Sequence, residues 1–339
     1  MTPAGVPDNR SSHHHGEAEK VAGEDLLRSA LRGWGRLLLA VLYWVPKNGL
    51  SRLAGRIASL RLPGLLQRAE IRLFARLAGV NIEEARDPIE SYDSLQGFFV
   101  RALRDGVRPI EGDSMSLVAP CDGTWGAAGR IEAGTLLQMK GRTYSVAELL
   151  GDPDLAETYE AGCFATFYLS PRDYHRFHTP TAGRIIRVDY RPGSLWPVNA
   201  IGLRGIDRLF ARNERICAYL EVDQSTAAGA AMPIAPIALV AVGATIVGSI
   251  HLAFDDLRTN LSGARPERRD LGDRAPKFAR GEQWGHFEFG STIVMLTPPM
   301  HFEIDPQPIG RALTLGEVIG RQCVQRVDVR AESELGFAP

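Results

Sequence analysis

In the stretch Trp284-Gly285-His286-Phe287-Glu288-Phe289-Gly290-Ser291-Thr292-Ile293-Val294-Met295-Leu296, a serine stands between a glycine and an apolar, β-type run. A serine hydroxyl placed there can attack the carbonyl just before it, because glycine has no side chain to block the approach and tolerates a strained backbone. The amide then becomes an ester. Removal of the serine α-proton would expel that ester as a carboxylate and cut the chain between 290 and 291. The new N-terminal dehydroalanine would hydrolyse to a pyruvoyl group, a cofactor made from the chain itself. A bare Gly-Ser equally fits an ordinary strand or turn, so the reading depends on what accompanies it.

Two other segments carry matching chemistry. Tyr168-Leu169-Ser170-Pro171-Arg172-Asp173-Tyr174-His175-Arg176-Phe177-His178-Thr179-Pro180 sets His175 and His178 three apart after an apparent strand, where both rings can face one cavity. Such a pair serves general acid/base work, caps a loop, or binds zinc. No H-E-x-x-H helix and no cysteine partner accompanies it, so no metal is expected. Val118-Ala119-Pro120-Cys121-Asp122-Gly123-Thr124 puts Asp122 in a turn between apolar runs. Asp-Gly is common turn punctuation, yet an aspartate that orients a histidine is also what a serine nucleophile requires. Asp122, His178 and Ser291 thus combine as a candidate Asp-His-Ser relay. The G-x-S-x-G elbow of α/β hydrolases is absent around Ser291, which counts against a conventional esterase.

The elements that must position these residues follow from pattern. With 339 residues, 45% hydrophobic and 23% charged, the chain suffices for one large domain or about two smaller ones. From Ser116 it reads as short strands between Gly and Pro turns: 164–169, 184–190, 216–222, 237–250, 286–296 and 301–304. No long alternation of strands with helices appears, so the expected class is α+β, a mainly antiparallel β catalytic domain over 87–339. A short helix is expected over 94–100, and Gly263 to Gly281, rich in Arg, Pro and Asp, reads as a long mobile loop.

The N-terminal part differs. Residues 1–23, with His13-His14-His15, read as a disordered tail, and 24–86 as a basic amphipathic helical region. Within 24–79 ten Lys/Arg face three acidic residues, a net +7 in a chain whose total is -1. Apolar positions recur with helical period over Leu26 to Val45, Leu50 to Leu60 and Leu65 to Leu77, opposite Arg28, Arg32, Arg36, Arg52, Arg56, Arg68, Arg72 and Arg76. These helices are either a subdomain packed on the core or a membrane-surface element. Trp34, Tyr43 and Trp44 beside an almost purely cationic polar face favour an anionic membrane surface. The Leu37–Val45 run has no cleavage site after it and is too short to span a bilayer, so neither export nor a transmembrane helix is expected. Cys121, Cys163, Cys217 and Cys323 form no C-x-x-C pair, which favours a reducing compartment.

Taken in order, FFVRALRDGVRPI (98–110), APCDGT (119–124), QMKGRTYSVAELLG (138–151), YLSPRDYHRFHTP (168–180), LFARNER (209–215), VGATIVGSI (242–250) and GEQWGHFEFGST (281–292) resemble the phosphatidylserine decarboxylase family of the bacterial, membrane-associated type. The resemblance covers most of 95–300 and extends to the N-terminal basic helices. It implies a self-cut at Gly290-Ser291 into chains 1–290 and 291–339 that stay associated, with Asp122, His178 and Ser291 as the processing triad. Ser291 becomes the pyruvoyl group, which takes phosphatidylserine as a Schiff base, and His175 serves the decarboxylation step. It also implies a peripheral place on the cytoplasmic face of the cell membrane, in phospholipid biosynthesis. A homodimer is left open, and no nucleic-acid partner is expected. Phe289 stands where leucine or glycine is usual and Cys121 where a small residue is common; both leave the reacting atoms intact. Two rival readings remain: a pyruvoyl-dependent decarboxylase of a free amino acid, against which the amphipathic helices speak, and a non-processing membrane adaptor, against which the intact triad speaks.

Overall fold

The computed structural model describes residues 44, 46–138, 142–222, 235–245, 249–288 and 290–323. The expected tail over 1–23 lies outside the described residues, as does the first expected helix apart from Trp44. The chain from Lys47 onward is one compact unit.

Its centre is a sheet in which every pairing is antiparallel. The strands run in the order Glu267–Asp270, Gly183–Arg191, Arg215–Val222, Ile237–Val242, Thr292–Thr297, Cys163–Tyr168, Gly123–Arg130 and Ala312–Leu313, with Lys277–Phe278 also on Gly183–Arg191. The two central strands, Ile237–Val242 and Thr292–Thr297, are rich in β-branched and apolar residues and are buried at every position. That is the composition of strands covered on both faces. A second sheet, Ile250–Leu252, Gln283–Phe287 and Arg176–His178, shares one core with it: Phe177, Trp284 and Phe287 join Ile216, Ala241, Ile293 and Phe167. A third sheet sets Val318–Gln322 between Ser116–Val118 and Phe302–Ile304. This is the expected mainly antiparallel α+β architecture.

Two expected strands are each split. The 286–296 run is not one strand: Gln283–Phe287 lies in the second sheet and Thr292–Thr297 in the middle of the first, and Gly290-Ser291 lies on the crossing. The 237–250 run likewise ends at Val242 and resumes at Ile250 in the second sheet. Glycines at 243 and 290 let the backbone leave one layer for another, which apolar content alone does not reveal. Within the expected loop over Gly263 to Gly281, Glu267–Asp270 and Lys277–Phe278 are instead short strands on the outer side of Gly183–Arg191 in the main sheet. Ion pairs hold the first of them there: Arg268 meets Asp152 at 2.6 Å and the buried Asp189 at 3.4 Å, and Arg269 meets Asp255, Asp256 and Glu267.

Helix α1 spans Lys47–Ala58 and α2 spans Gly64–Ala78. Helix α2 stops where Gly79 adopts a left-handed φ of 79° and returns its N–H to Ala75 O. Its inner side, Ile71 and Ala75, packs with Val80 and Phe98 into a small core. Phe98 belongs to α3, Leu95–Phe99, which is capped by the Ser94 hydroxyl accepting from the Gly97 N–H.

Candidate active site

Ser291 is the residue at which the chain enters the main sheet. Thr292 pairs with both Tyr168 and Val242, and the Ser291 carbonyl continues the ladder by accepting from the Leu169 N–H at 2.9 Å. The serine is wholly buried, and its Oγ has no hydrogen-bond partner among the described residues. A side-chain carbon added at Gly290 would sit 3.1 Å from Leu169 O and 3.5 Å from Nε2 of His175. The glycine therefore leaves room at the junction, and an imidazole faces that room.

His175 is fixed by local chemistry. The Asp173 carbonyl lies 2.8 Å from Nδ1 and can only accept, so Nδ1 carries the proton and Nε2 presents a lone pair. That Nε2 is buried without a partner among the described residues, and the Phe99 ring lies 4.0 Å from the imidazole. Burial drives the pKa down to about 3, against the opposing bond to Asp173. His178, at the end of Arg176–His178, donates from Nδ1 to Gly281 O at 2.9 Å, and its Nε2 lies 3.3 Å from the Tyr174 hydroxyl. Burial lowers its pKa to about 4. Both rings are thus neutral near pH 7, with Nε2 as the basic atom.

Asp122 is held differently from a simple relay. Its carboxylate accepts from Arg108 Nε at 2.9 and 3.1 Å, from Arg108 Nη2 at 2.6 Å, and from the Leu315 N–H at 2.8 Å. Arg108 in turn reaches Glu84 at 2.8 Å. Asp122 and His178 lie on neighbouring segments, because the His178 N–H donates to Pro120 O at 2.7 Å. Among the described residues no hydrogen bond joins Asp122 to His178 or His178 to Ser291. The structure therefore gathers Gly290, Ser291 and His175 at one spot and brings Asp122 beside His178 through the backbone. Gly123 permits this approach: its φ is 156°, and a side-chain carbon there would lie 2.3 Å from Tyr168 O.

Arg108, Tyr174 and the Leu315 amide escaped the sequence reading. Tyr174 lay within the histidine segment and could have been found from its position four residues before His178. The Arg108 and Leu315 contacts span 14 and 193 residues, and no local pattern announces them. An unpartnered serine hydroxyl, a glycine before it and an imidazole lone pair at the junction fit the conversion of Ser291 to a pyruvoyl group. Among the described residues no His, Cys, Asp and Glu cluster forms a metal site.

Fold and centre together define a class: an antiparallel-sheet enzyme whose candidate reacting serine is sealed in the core, on the step between two sheets. Residues 95–321 match the family described as phosphatidylserine decarboxylase. The chain is 40% identical over 288 residues to the phosphatidylserine decarboxylase proenzyme of Anaeromyxobacter sp. (strain K), covering 84% of this chain and 98% of the relative. It is 41% identical over 291 residues to that of Acidovorax ebreus (strain TPSY), covering 85% and 98%, and 42% identical over 274 residues to that of Chromobacterium violaceum, covering 80% and 94%. The chain belongs to the phosphatidylserine decarboxylase family and is a decarboxylase.

Proposed function

We propose that the chain converts phosphatidylserine to phosphatidylethanolamine and carbon dioxide by means of a pyruvoyl group that it makes by cutting itself between Gly290 and Ser291. The observation that carries this reading is the Ser291 hydroxyl, wholly buried, unpartnered among the described residues and next to a glycine that leaves its carbonyl open to attack. Buried hydroxyls nearly always find a partner, so one without invites a chemical explanation. The relatives are proenzymes by name, which is what a self-cut requires.

In the cut, Ser291 Oγ loses its proton to a base and adds to the Gly290 carbonyl carbon. The peptide nitrogen leaves as the free amine of residue 291, and an ester joins Gly290 to Oγ. Loss of the Ser291 α-proton then expels the Gly290 carboxylate and leaves dehydroalanine. Its imine tautomer takes up water and releases ammonia. His178 supplies the base, and Asp122, clamped by Arg108 and Leu315, fixes the Pro120 segment on which His178 leans. Once formed, the pyruvoyl group supplies a carbonyl that takes up the electrons freed as carbon dioxide leaves. His175, whose Nε2 lone pair faces the junction, relays a proton taken up from water to the substrate carbon.

The lipid reaches this centre from a membrane surface. Leu53, Ile57, Leu65, Leu66, Leu73 and Leu77 of α1 and α2 are exposed, Leu65 and Leu77 by 81% and 79%, while Ser51, Ala58 and Gln67 are buried. Leucines turned outward among arginines suit a helix lying in an anionic interface, with apolar faces in the acyl region and guanidinium groups at the phosphates. Among the described residues no helix is long and apolar enough to cross a membrane. Peripheral attachment at the cytoplasmic face is the matching location.

Intact mass of the purified protein is expected to show chains 1–290 and 291–339, the shorter with a blocked N-terminus. Ser291→Ala, which has no oxygen to attack with, is expected to remain one chain without activity. A single uncut chain with full decarboxylase activity would sink the reading.

A further inference from the structure

Arg101 lies two residues beyond α3 and is 3% exposed. Its Nη2 donates to Arg172 O at 3.3 Å, whereas Nε and Nη1 are buried and have no hydrogen-bond partner among the described residues. The carboxylates of its neighbourhood, Asp122 and Glu84, pair with Arg108 instead. A guanidinium keeps its charge when buried and is costly to leave unpaired, so it calls for an anion. A second observation points the same way. The Tyr92 hydroxyl is buried without a partner among the described residues, and Tyr92 and Arg101 meet the same ring: Tyr92 packs edge-on to Phe98 at 5.4 Å, and the Arg101 guanidinium stands 5.4 Å over it. The next residue, Phe99, lies against His175 at 4.0 Å and against Phe74 of α2 at 6.0 Å. Phe99 thus links the segment that carries Arg101 to α2 on one side and to His175 of the junction on the other, and Arg101 is near enough to His175 for its charge to act on that ring.

We infer that Arg101, with the Tyr92 hydroxyl, binds the phosphodiester of the lipid substrate. The inference rests on phosphatidylserine being that substrate. In this lipid three bonds of about 1.5 Å each separate phosphorus from the amine-bearing carbon, so the phosphate must be held close to Ser291 and on the membrane side of it. Arg101 and Tyr92 answer to both conditions. The substrate has a second anion, its carboxylate, but an ion pair there would stabilise the ground state of the group that departs and slow its loss. The phosphate keeps its charge throughout, so an arginine on it improves binding of substrate and product alike.

The test compares wild type with Arg101→Gln and Arg101→Lys, using a short-chain phosphatidylserine as substrate and short-chain phosphatidylethanolamine, which has the phosphate but no carboxylate, as competitor. Arg101→Gln is expected to cut itself, to raise KM by about 30-fold or more with a much smaller change in kcat, and to weaken inhibition by phosphatidylethanolamine by a similar factor. Arg101→Lys, a point charge without the planar fork, should fall between. The ligand-free Arg101→Gln protein is expected to melt no lower than wild type, because an arginine kept for structure alone would cost stability when removed. If KM rises and inhibition by phosphatidylethanolamine does not, the arginine serves the carboxylate and the inference is overturned. Unchanged KM overturns it too, as does a lower melting temperature with normal binding. If Arg101→Gln fails to fold, the paired KM and inhibition shifts of Arg101→Lys decide. Wild-type protein that neither cuts itself nor releases carbon dioxide would instead refute the proposed function.

Discussion

His175 and His178 lie three residues apart in different surroundings. Each gives its Nδ1 proton to a backbone carbonyl, but only His175 has a bare Nε2 at Gly290, while that of His178 meets Tyr174. His178→Ala and Asp122→Asn are expected to leave uncut precursor, and His175→Ala to be cut to a substantial extent while turning over poorly. A gel and a carbon dioxide assay on the same samples check this; equal loss of cleavage in folded His175→Ala and His178→Ala would reverse the assignment. Both rings are neutral in the fold and would bind protons near the ordinary 6.5 once unfolded. Below that pH the unfolded state takes up more protons, so stability falls as pH drops from 6.5 toward 4, by up to about 1.4 kcal/mol per pH unit for each ring. Melts of the Ser291→Ala precursor should show this slope, and His178→Gln in that background should flatten it. At this scale the sequence was informative because bond-making chemistry is local: a glycine before a serine is visible in two letters. What holds those groups was hidden, since Arg108, Tyr174 and Leu315 reach them through the fold.

Elements were legible where one period rules. The arginine spacing placed α1 and α2 to within a few residues, and their exposed leucines show which way each helix turns. Replacing Leu53, Leu65 and Leu77 together by Gln is expected to weaken binding to anionic vesicles by well over tenfold, because each fully inserted leucine contributes about 1.5–3 kcal/mol. Self-cleavage and melting temperature should hardly change, as these side chains leave the core untouched. In a flotation assay, unchanged binding would mean that the helices do not lie on the membrane. Strands were legible as apolar runs but not as members of a particular sheet. Burial on both faces erases the alternation that would have marked Phe287 and Thr292 as belonging to different layers. The sequence of the edge strand Glu267–Asp270 has the pattern of a mobile loop because its order comes from paired charges rather than apolar content.

At the scale of the whole molecule, the proposed cut leaves the shorter chain threaded through the fold. Thr292–Thr297 is bonded on both sides by strands of the longer chain, Cys163–Tyr168 and Ile237–Val242. Ala312–Leu313 pairs with Gly123–Arg130, and Val318–Gln322 with Ser116–Val118. The two chains are expected to co-elute in size exclusion without denaturant; separation in mild buffer would contradict that register.

The step of the chain between two sheets at Gly290-Ser291 would also make the proposed maturation a one-way event in folding. Before the cut, the central strand is delivered to its slot by a covalent tether, and its search is intramolecular. After the proposed cut the same strand would be a separate peptide, residues 291–339, whose return would depend on concentration. A cut enzyme would then persist through a slow rate of unfolding rather than through a reversible equilibrium. Precursor trapped as Ser291→Ala should recover from denaturant at dilutions where the cut protein does not, so an enzyme molecule of this kind is assembled once and, if lost, has to be made again from new chain.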